Sequence, residues 1–127
     1  MAIPSGSGTE VLKRTTIHAS SDATTAFRWD GTMASVGTSS YTVPANHIIT
    51  VLSIIVNDQG NAIDNTSMYL YNGADNIYIV EGEEIPAYGT FIWNDKFILT
   101  GGDKLVVFGS AGTNHDYLCS YIDQDWT

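Results

Sequence analysis

The sequence contains few charged side chains, and very few of them are cations. Its 127 residues include 14 Asp and Glu but only 5 Lys and Arg, which gives a net charge of −9 at neutral pH. The charged fraction of 15% is well below the roughly 25% that is usual in globular domains. A surface with this balance repels phosphate backbones, so we expect no nucleic-acid partner.

Cysteine is almost absent as well. Cys119 is the one cysteine, so the chain cannot form an intrachain disulfide, which fits a reducing cytosol or a fold that needs no covalent staple. Cys119 lies in the strand-like run 117–122, so we expect a small buried hydrophobic side chain there and not a reactive thiol.

Long apolar segments are missing. Residues 1–8 lack the basic start and apolar centre of a secretory signal. The longest nearly apolar run, residues 48–56, is far too short to span a bilayer. The sequence therefore predicts a protein that has no membrane partner.

Patterns that carry catalytic chemistry are also lacking. The three histidines, His18, His47 and His115, lie in no recognisable motif, and the chain has no G-x-S-x-G nucleophile elbow. His115 and Cys119 are four residues apart, which on a strand separates them by about 13 Å, too far to share a metal ion. We therefore expect no enzyme activity, no catalytic or cofactor-binding residue, and no metal site on these residues.

Calcium is the one cofactor for which the loops carry suitable ligands. Asp58, Asn61 and Asp64 lie in one acidic loop, Asp75 and Asn76 lie in another, and oxygen-rich loops suit a hard cation. Turn-forming Asp and Asn explain both loops without a metal ion, and the ligand order of an EF-hand is absent. The sequence therefore predicts no cofactor, with calcium as the alternative.

What the chain does contain is a series of short apolar runs separated by turn residues. Between residues 48 and 122 these runs have the length of one strand, and no window has a sustained helical period. We expect eight to ten strands in a single-domain, antiparallel, all-β sandwich of jelly-roll type over residues 10–127, after a flexible N-terminal arm at residues 1–9. The runs 90–93, 96–100 and 104–108 predict a meander.

The strongest predicted strand, residues 48–56, is apolar on both of its alternating faces. A sandwich strand with one face in water alternates apolar and polar residues instead. We therefore predict that its second face, which carries Ile49, Val51 and Ile55, lies against another strand layer, the arm or another subunit.

Tyrosines provide further interface candidates. Side chains with an aromatic body and a polar tip suit protein interfaces, although they can also form cross-strand pairs that stiffen a sheet. The full set of predicted interface residues is Ile3, Pro4, Ile49, Val51, Ile55, Tyr69, Tyr71, Tyr78, Tyr117 and Tyr121.

Residues 84–110 contain two turn motifs and are followed by an aromatic closing strand at 117–122. The motifs are P-x-x-G at Pro86 and Gly89, and L-x-x-G-D-x-L at Leu99, Gly102, Asp103 and Leu105. Together with the opening MAIPSGSG, this third of the chain resembles small virion structural proteins of tailed bacteriophages.

The resemblance implies a non-enzymatic viral structural protein, most simply a decoration or cement protein that binds the lattice of the major capsid protein. A neck or tail accessory subunit and a carbohydrate-binding sandwich are the alternatives. The implied partners are the major capsid protein or other virion subunits, with homo-oligomerisation, a trimer first. The implied location is the virion, assembled in the host cytoplasm.

Overall fold

The computed structural model describes residues 9–19, 23–110 and 114–126, which form an all-β sandwich of ten strands. The predicted arm, including Ile3 and Pro4, lies outside the described residues except for Thr9, which already belongs to the first strand. The strands are β1 (Thr9–Ala19), β2 (Thr25–Ala26), β3 (Met33–Ala34), β4 (His47–Asp58), β5 (Asp64–Tyr71), β6 (Asn76–Ile85), β7 (Thr90–Trp93), β8 (Phe97–Thr100), β9 (Lys104–Gly109) and β10 (His115–Asp125).

The strands form two sheets that enclose one core. Sheet A has the order β3-β1-β10-β4, and both β7 and β8 pair with the far edge of β4. Sheet B has the order β2-β9-β5-β6. All pairs are antiparallel except the two-residue contact between β3 and β1. The predicted fold class, an antiparallel jelly-roll-like β-sandwich, is confirmed, and no helix of the described residues is long and apolar enough to cross a membrane.

Strand β10 has the simple alternation of a half-buried strand. Its odd-numbered residues from His115 to Asp123 are buried, and its even-numbered residues are only partly covered. Tyr117 and Tyr121 therefore point into the core, which corrects their assignment to an interface. Their hydroxyl groups are satisfied there: that of Tyr117 lies 2.8 Å from the Thr66 hydroxyl, and that of Tyr121 accepts a hydrogen bond from the Gly31 amide at 3.1 Å.

Strand β4 changes its inward-facing parity at Leu52. Ser53 pairs with Ser120 and Val51 pairs with Tyr121, so Leu52 is an extra residue in β4, a β-bulge. The core therefore receives odd-numbered residues before the bulge, such as Val51, and even-numbered residues after it, such as Ile54. The change of parity explains why apolar residues occur in both alternating sets of the strand.

The bulge corrects the interface prediction for two residues. Ile49 and Val51 are fully buried inside the single subunit, so neither side chain is available to a neighbour. Ile55 does lie on the outer face of sheet A and is 38% exposed. The bulge also faces the gap between β7, which pairs with residues 54–57, and β8, which pairs with residues 48–51.

The meander predicted for residues 90–108 has the right strands but the wrong pairing. β7 and β8 pair with two successive halves of β4 in sheet A and do not pair with each other. β9 lies in the opposite sheet, between β2 and β5. The turn from Thr100 to Asp103 that carries Gly102 at φ 92° is therefore a crossing between sheets.

Cys119 is expected to resist thiol reagents in the folded protein. It is fully buried in the core, and burial raises the pKa of its thiol to about 12, so the reactive thiolate is scarce at pH 8. Labelling with an aromatic disulfide reagent at pH 8 should be at least about 100-fold slower in native protein than in guanidinium chloride. Stoichiometric labelling of native protein at the unfolded rate would contradict the described core.

Candidate subunit interface

The outer face of sheet A carries apolar side chains in two rows that cross the strands. In a β-sheet, residues directly opposite each other on neighbouring strands point to the same face, so the strand register defines each row. The first apolar row is Met33, Thr16, Leu118, Ile55 and Ile92, in order across the sheet. The second apolar row is Leu12, Ile122, Thr50 and Ile98.

Most of the large apolar side chains in these rows are open to solvent. The exposed fractions are 70% for Leu12, 60% for Met33, 58% for Ile92, 47% for Ile98 and 38% for Ile55. Single exposed apolar residues are normal on a soluble protein, whereas contiguous apolar patches mark interaction sites. The register makes these residues contiguous, and the first row borders a concavity of about 430 Å³ lined by Thr16, Met33, Ile55 and Leu118.

Polar residues separate and border the apolar rows, and several of them are already paired within the sheet. Arg14, Ser120 and Ser53 lie between the two rows. Beside the first row, His18 pairs with the Asp116 carboxylate. The Glu10 carboxylate accepts a hydrogen bond from the Gln124 amide at 2.7 Å beside the second row. The face thus combines apolar rows with a polar pattern that could orient a partner.

The outer face of sheet B presents a smaller aromatic cluster, Tyr69, Tyr78 and Phe108, which we call the sheet B aromatic patch. The ring centroids of Tyr69 and Tyr78 are 5.3 Å apart, and Phe108 lies 6.2 Å from Tyr69. Tyr69 and Tyr78 are direct cross-strand partners, so they stiffen the β5–β6 pair as well as facing outward. Burial, and to a lesser extent the neighbouring Tyr78, raises the pKa of Tyr69.

Tyr71 extends this surface next to the aromatic patch. The Lys104 ammonium group lies 5.4 Å from the centroid of the Tyr71 ring, within the range of a cation–π contact. Three of the predicted interface tyrosines, Tyr69, Tyr71 and Tyr78, therefore share one outer face. Whether a partner contacts them stays a prediction.

Ile55 is the one apolar residue of the two rows that was among the sequence candidates. The four most exposed of the others are Leu12, Met33, Ile92 and Ile98. The signal for Ile92 and Ile98 is present in the sequence, because each stands between residues that pack towards the core, such as Phe91 and Trp93. Alternation sorts the residues of a strand into two faces. It shows which face is outward only after one residue is known to pack in the core. Leu12 belongs to a run of four exposed residues in β1 and carries no such signal.

Trp29 and Trp93 both make contacts within the subunit. Trp29 is 5% exposed and packs edge-to-face on Tyr121 in the core, with ring centroids 5.0 Å apart. The Trp93 ring packs at the edge of the core, and its indole N–H donates to the carbonyl of Asp95 at 2.8 Å.

The loop that carries Asp75, considered above for calcium, is a hydrogen-bonded turn. The Asn72 side chain accepts hydrogen bonds there from the amides of Ala74 and Asp75.

Comparison with known proteins identifies the fold and no family. No family model matches the chain, and no curated protein matches its sequence. The core of Drosophila NLP, studied for pentamer formation and histone binding, is similar in structure, with a TM-score of 0.53 and 15% identity over 92% of this chain and 99% of that one.

Two further similar structures are assembly subunits. A protein of the disulfide-linked pili that form Bacillus endospore appendages gives a TM-score of 0.52 and 16% identity over 100% of this chain and 97% of that one. A chain of the acid-stable capsid of Helicobacter pylori bacteriophage KHP30 gives 0.51 and 8% identity over 91% and 86%. At these identities the similarity shows a shared β-sandwich fold, which occurs in viral capsid and pilus subunits.

Proposed function

We propose that the protein is a non-enzymatic structural subunit of a virion, a capsid decoration or cement protein that assembles with copies of itself through the outer face of sheet A. The observation that carries the proposal is the pair of contiguous apolar rows on that face. A partner surface that covers both rows removes their apolar area from water at once, and this burial stabilises the complex.

Charge favours a second copy of the chain as the occupant of this face. Two proteins of net charge −9 repel each other unless their contact avoids acidic groups. The strand register places two acidic side chains, Glu10 and Asp116, and the cation Arg14 on the face. By contrast, Glu81, Glu83 and Glu84 stand exposed on the edge strand β6 of sheet B, where like charges oppose edge-to-edge pairing.

The outer face of sheet A is large enough for a subunit contact. It is five strand positions wide at about 4.8 Å spacing, and β1, β4 and β10 have 11 or 12 residues at about 3.3 Å each, so its area is at most roughly 800 Å². A stable interface buries about 800 Å² on each partner. We propose a cyclic homo-oligomer, with a trimer first. Ile3 and Pro4 of the N-terminal arm remain candidates for added contact.

The sheet B aromatic patch is the surface that we propose for the major capsid protein. It faces away from the proposed ring contact, and Tyr and Phe are enriched in protein interfaces. Similar folds in a bacteriophage capsid chain and in a pilus subunit support an assembly role. Location in the virion, with assembly in the host cytoplasm, follows from this role and is part of the proposal.

Mass spectrometry of virions purified from the virus that carries this gene tests the decoration role. We expect copies in constant proportion to the major capsid protein. A few copies per particle would contradict decoration and favour a neck or tail accessory subunit. Absence from the particle would contradict the virion role altogether. The Tyr78→Asp variant should reach the particle at lower copy number, because the added charge lies in the aromatic patch.

A further inference from the structure

Three ligand-type side chains converge at one end of the sandwich. Asp58 closes β4, Asp64 opens β5 and His115 opens β10, so the cluster joins sheet A to sheet B. Each of the three residues offers an oxygen or nitrogen atom within 4.8 Å of the other two. Asp58 and His115 are direct cross-strand partners, which fixes their side chains on the same inner face.

Two of these side chains are buried with an unused polar atom. Asp58 and His115 are both 0% exposed. Among the described residues, neither the Asp58 Oδ2 atom nor the His115 Nε2 atom has a hydrogen-bond partner. Buried polar atoms of this kind are costly, and a carboxylate more so than a neutral group. A cation between the three residues would satisfy both atoms at once.

One further polar atom of each residue in the cluster contacts a neighbour, as in a metal centre with an ordered outer shell. The Gly60 amide donates to Asp58 Oδ1 at 2.7 Å, and the Ser110 hydroxyl donates to Asp64 Oδ1 at 2.9 Å. His115 Nδ1 lies 3.3 Å from the Tyr117 hydroxyl, which also contacts Thr66. These contacts orient Asp58 Oδ2 and His115 Nε2 as free ligand atoms.

The distances between the ligand atoms also bear on a metal ion. Ligand atoms around a tetrahedral ion with bonds of about 2.1 Å are about 3.4 Å apart, so the separations of up to 4.8 Å must shorten by up to about 1.4 Å when an ion binds.

We propose that Asp58, Asp64 and His115 bind a divalent transition-metal ion that ties the two sheets together. One imidazole with two carboxylates suits Zn²⁺ or Mn²⁺, whereas Ca²⁺ and Mg²⁺ prefer oxygen ligands alone. The calcium alternative considered for Asp58, Asn61 and Asp64 therefore gives way to a different ion and ligand set. Asn61 is exposed, and His115 takes its place.

Titration of the full chain with Zn²⁺ after treatment with a chelator tests the site. We expect one Zn²⁺ bound per chain and a higher melting temperature, because an ion that binds the folded state alone stabilises it. Co²⁺ should give the visible absorption of a site with a nitrogen ligand. Binding of Ca²⁺ but not Zn²⁺, or no binding of either ion, would overturn the proposal.

Variants of the proposed ligands distinguish Zn²⁺ binding at this site from non-specific Zn²⁺ binding to acidic surface groups. Asp64→Asn is the milder change because Asp64 is only partly buried, and it should weaken Zn²⁺ binding about 100-fold or more with the fold intact by circular dichroism. His115→Gln should remove the Co²⁺ spectrum. The matched control is His18→Gln, at the exposed His18–Asp116 pair. Equal loss of Zn²⁺ binding in the control, or none in Asp64→Asn, would contradict the assignment.

Discussion

Deletion of Leu52 is expected to leave the protein folded, with the same residues of β4 in the core. Ser53 and Val51 pair with two consecutive residues of β10, so removal of the extra residue between them makes the ladder regular. Ile49 and Val51 before the deletion and Ile54 after it keep their inward faces. No buried side chain is lost, so the free energy of unfolding should change by about 1 kcal/mol or less.

Leu52→Ala is the matched control for this deletion, because it keeps the bulge and removes only a partly exposed side chain. Chemical denaturation followed by tryptophan fluorescence measures both variants. Both variants should unfold cooperatively close to the wild-type midpoint. A largely unfolded deletion variant beside a stable alanine variant would show that Leu52 is not the extra residue of β4.

Ile54→Asp is expected to prevent folding, whereas Ile55→Asp is expected to leave the fold intact and disrupt self-association. Ile54 is fully buried, between Cys119 and Trp93 on the neighbouring strands, so a carboxylate there would be desolvated without a partner. The expected cost exceeds about 4 kcal/mol. Ile55 lies on the outer face between Leu118 and Ile92, and a charge at its exposed position should cost about 1 kcal/mol or less.

Thermal denaturation and circular dichroism of the two variants provide the comparison. Adjacent positions on one strand share local propensity and differ in the face they occupy, so the pair isolates the effect of the face. Equal destabilisation by both changes would mean that β4 is buried on both sides within one subunit. That result would remove the outer face of sheet A as a candidate interface.

The strands could be predicted from the sequence because their signal is local. Alternation and turn residues locate β4, β7, β8, β9 and β10 to within about three residues. Pairing could not be predicted in the same way. β9 leaves the sheet of β8 through a tight turn, and nothing in three successive apolar runs distinguishes that crossing from a meander.

The candidate interface was only partly predictable for a related reason. A bulge reverses every inward-facing position beyond it, and a strand that is apolar in both parities hides where the reversal occurs. Ile55 was therefore identified together with Ile49 and Val51, which occupy the core. The cluster of Asp58, Asp64 and His115 was missed because its third member comes from β10, more than 50 residues away in the sequence.

The turn motifs that suggested virion proteins have structural explanations in this chain. At Pro86 to Gly89, the Gly89 amide donates to the Pro86 carbonyl at 2.8 Å. A Cβ atom at Gly89 would lie 2.9 Å from that carbonyl oxygen, so the turn requires glycine. In the second motif, Leu99 and Leu105 are fully buried on either side of the crossing turn. These residues specify the sandwich, so the motifs carry information about fold more than about function.

The mass of the protein in solution tests the central claim most directly. Light scattering after size exclusion, over a range of protein concentrations, should give an integral multiple of the 13.8 kDa subunit, with three subunits as the proposed state. A variant with Ile55→Asp and Ile92→Asp should return to the subunit mass with its fold intact, and Tyr78→Asp, on the opposite sheet, should keep the wild-type mass. A wild-type protein that stays at 13.8 kDa, or a double variant that keeps the oligomer, would contradict the account.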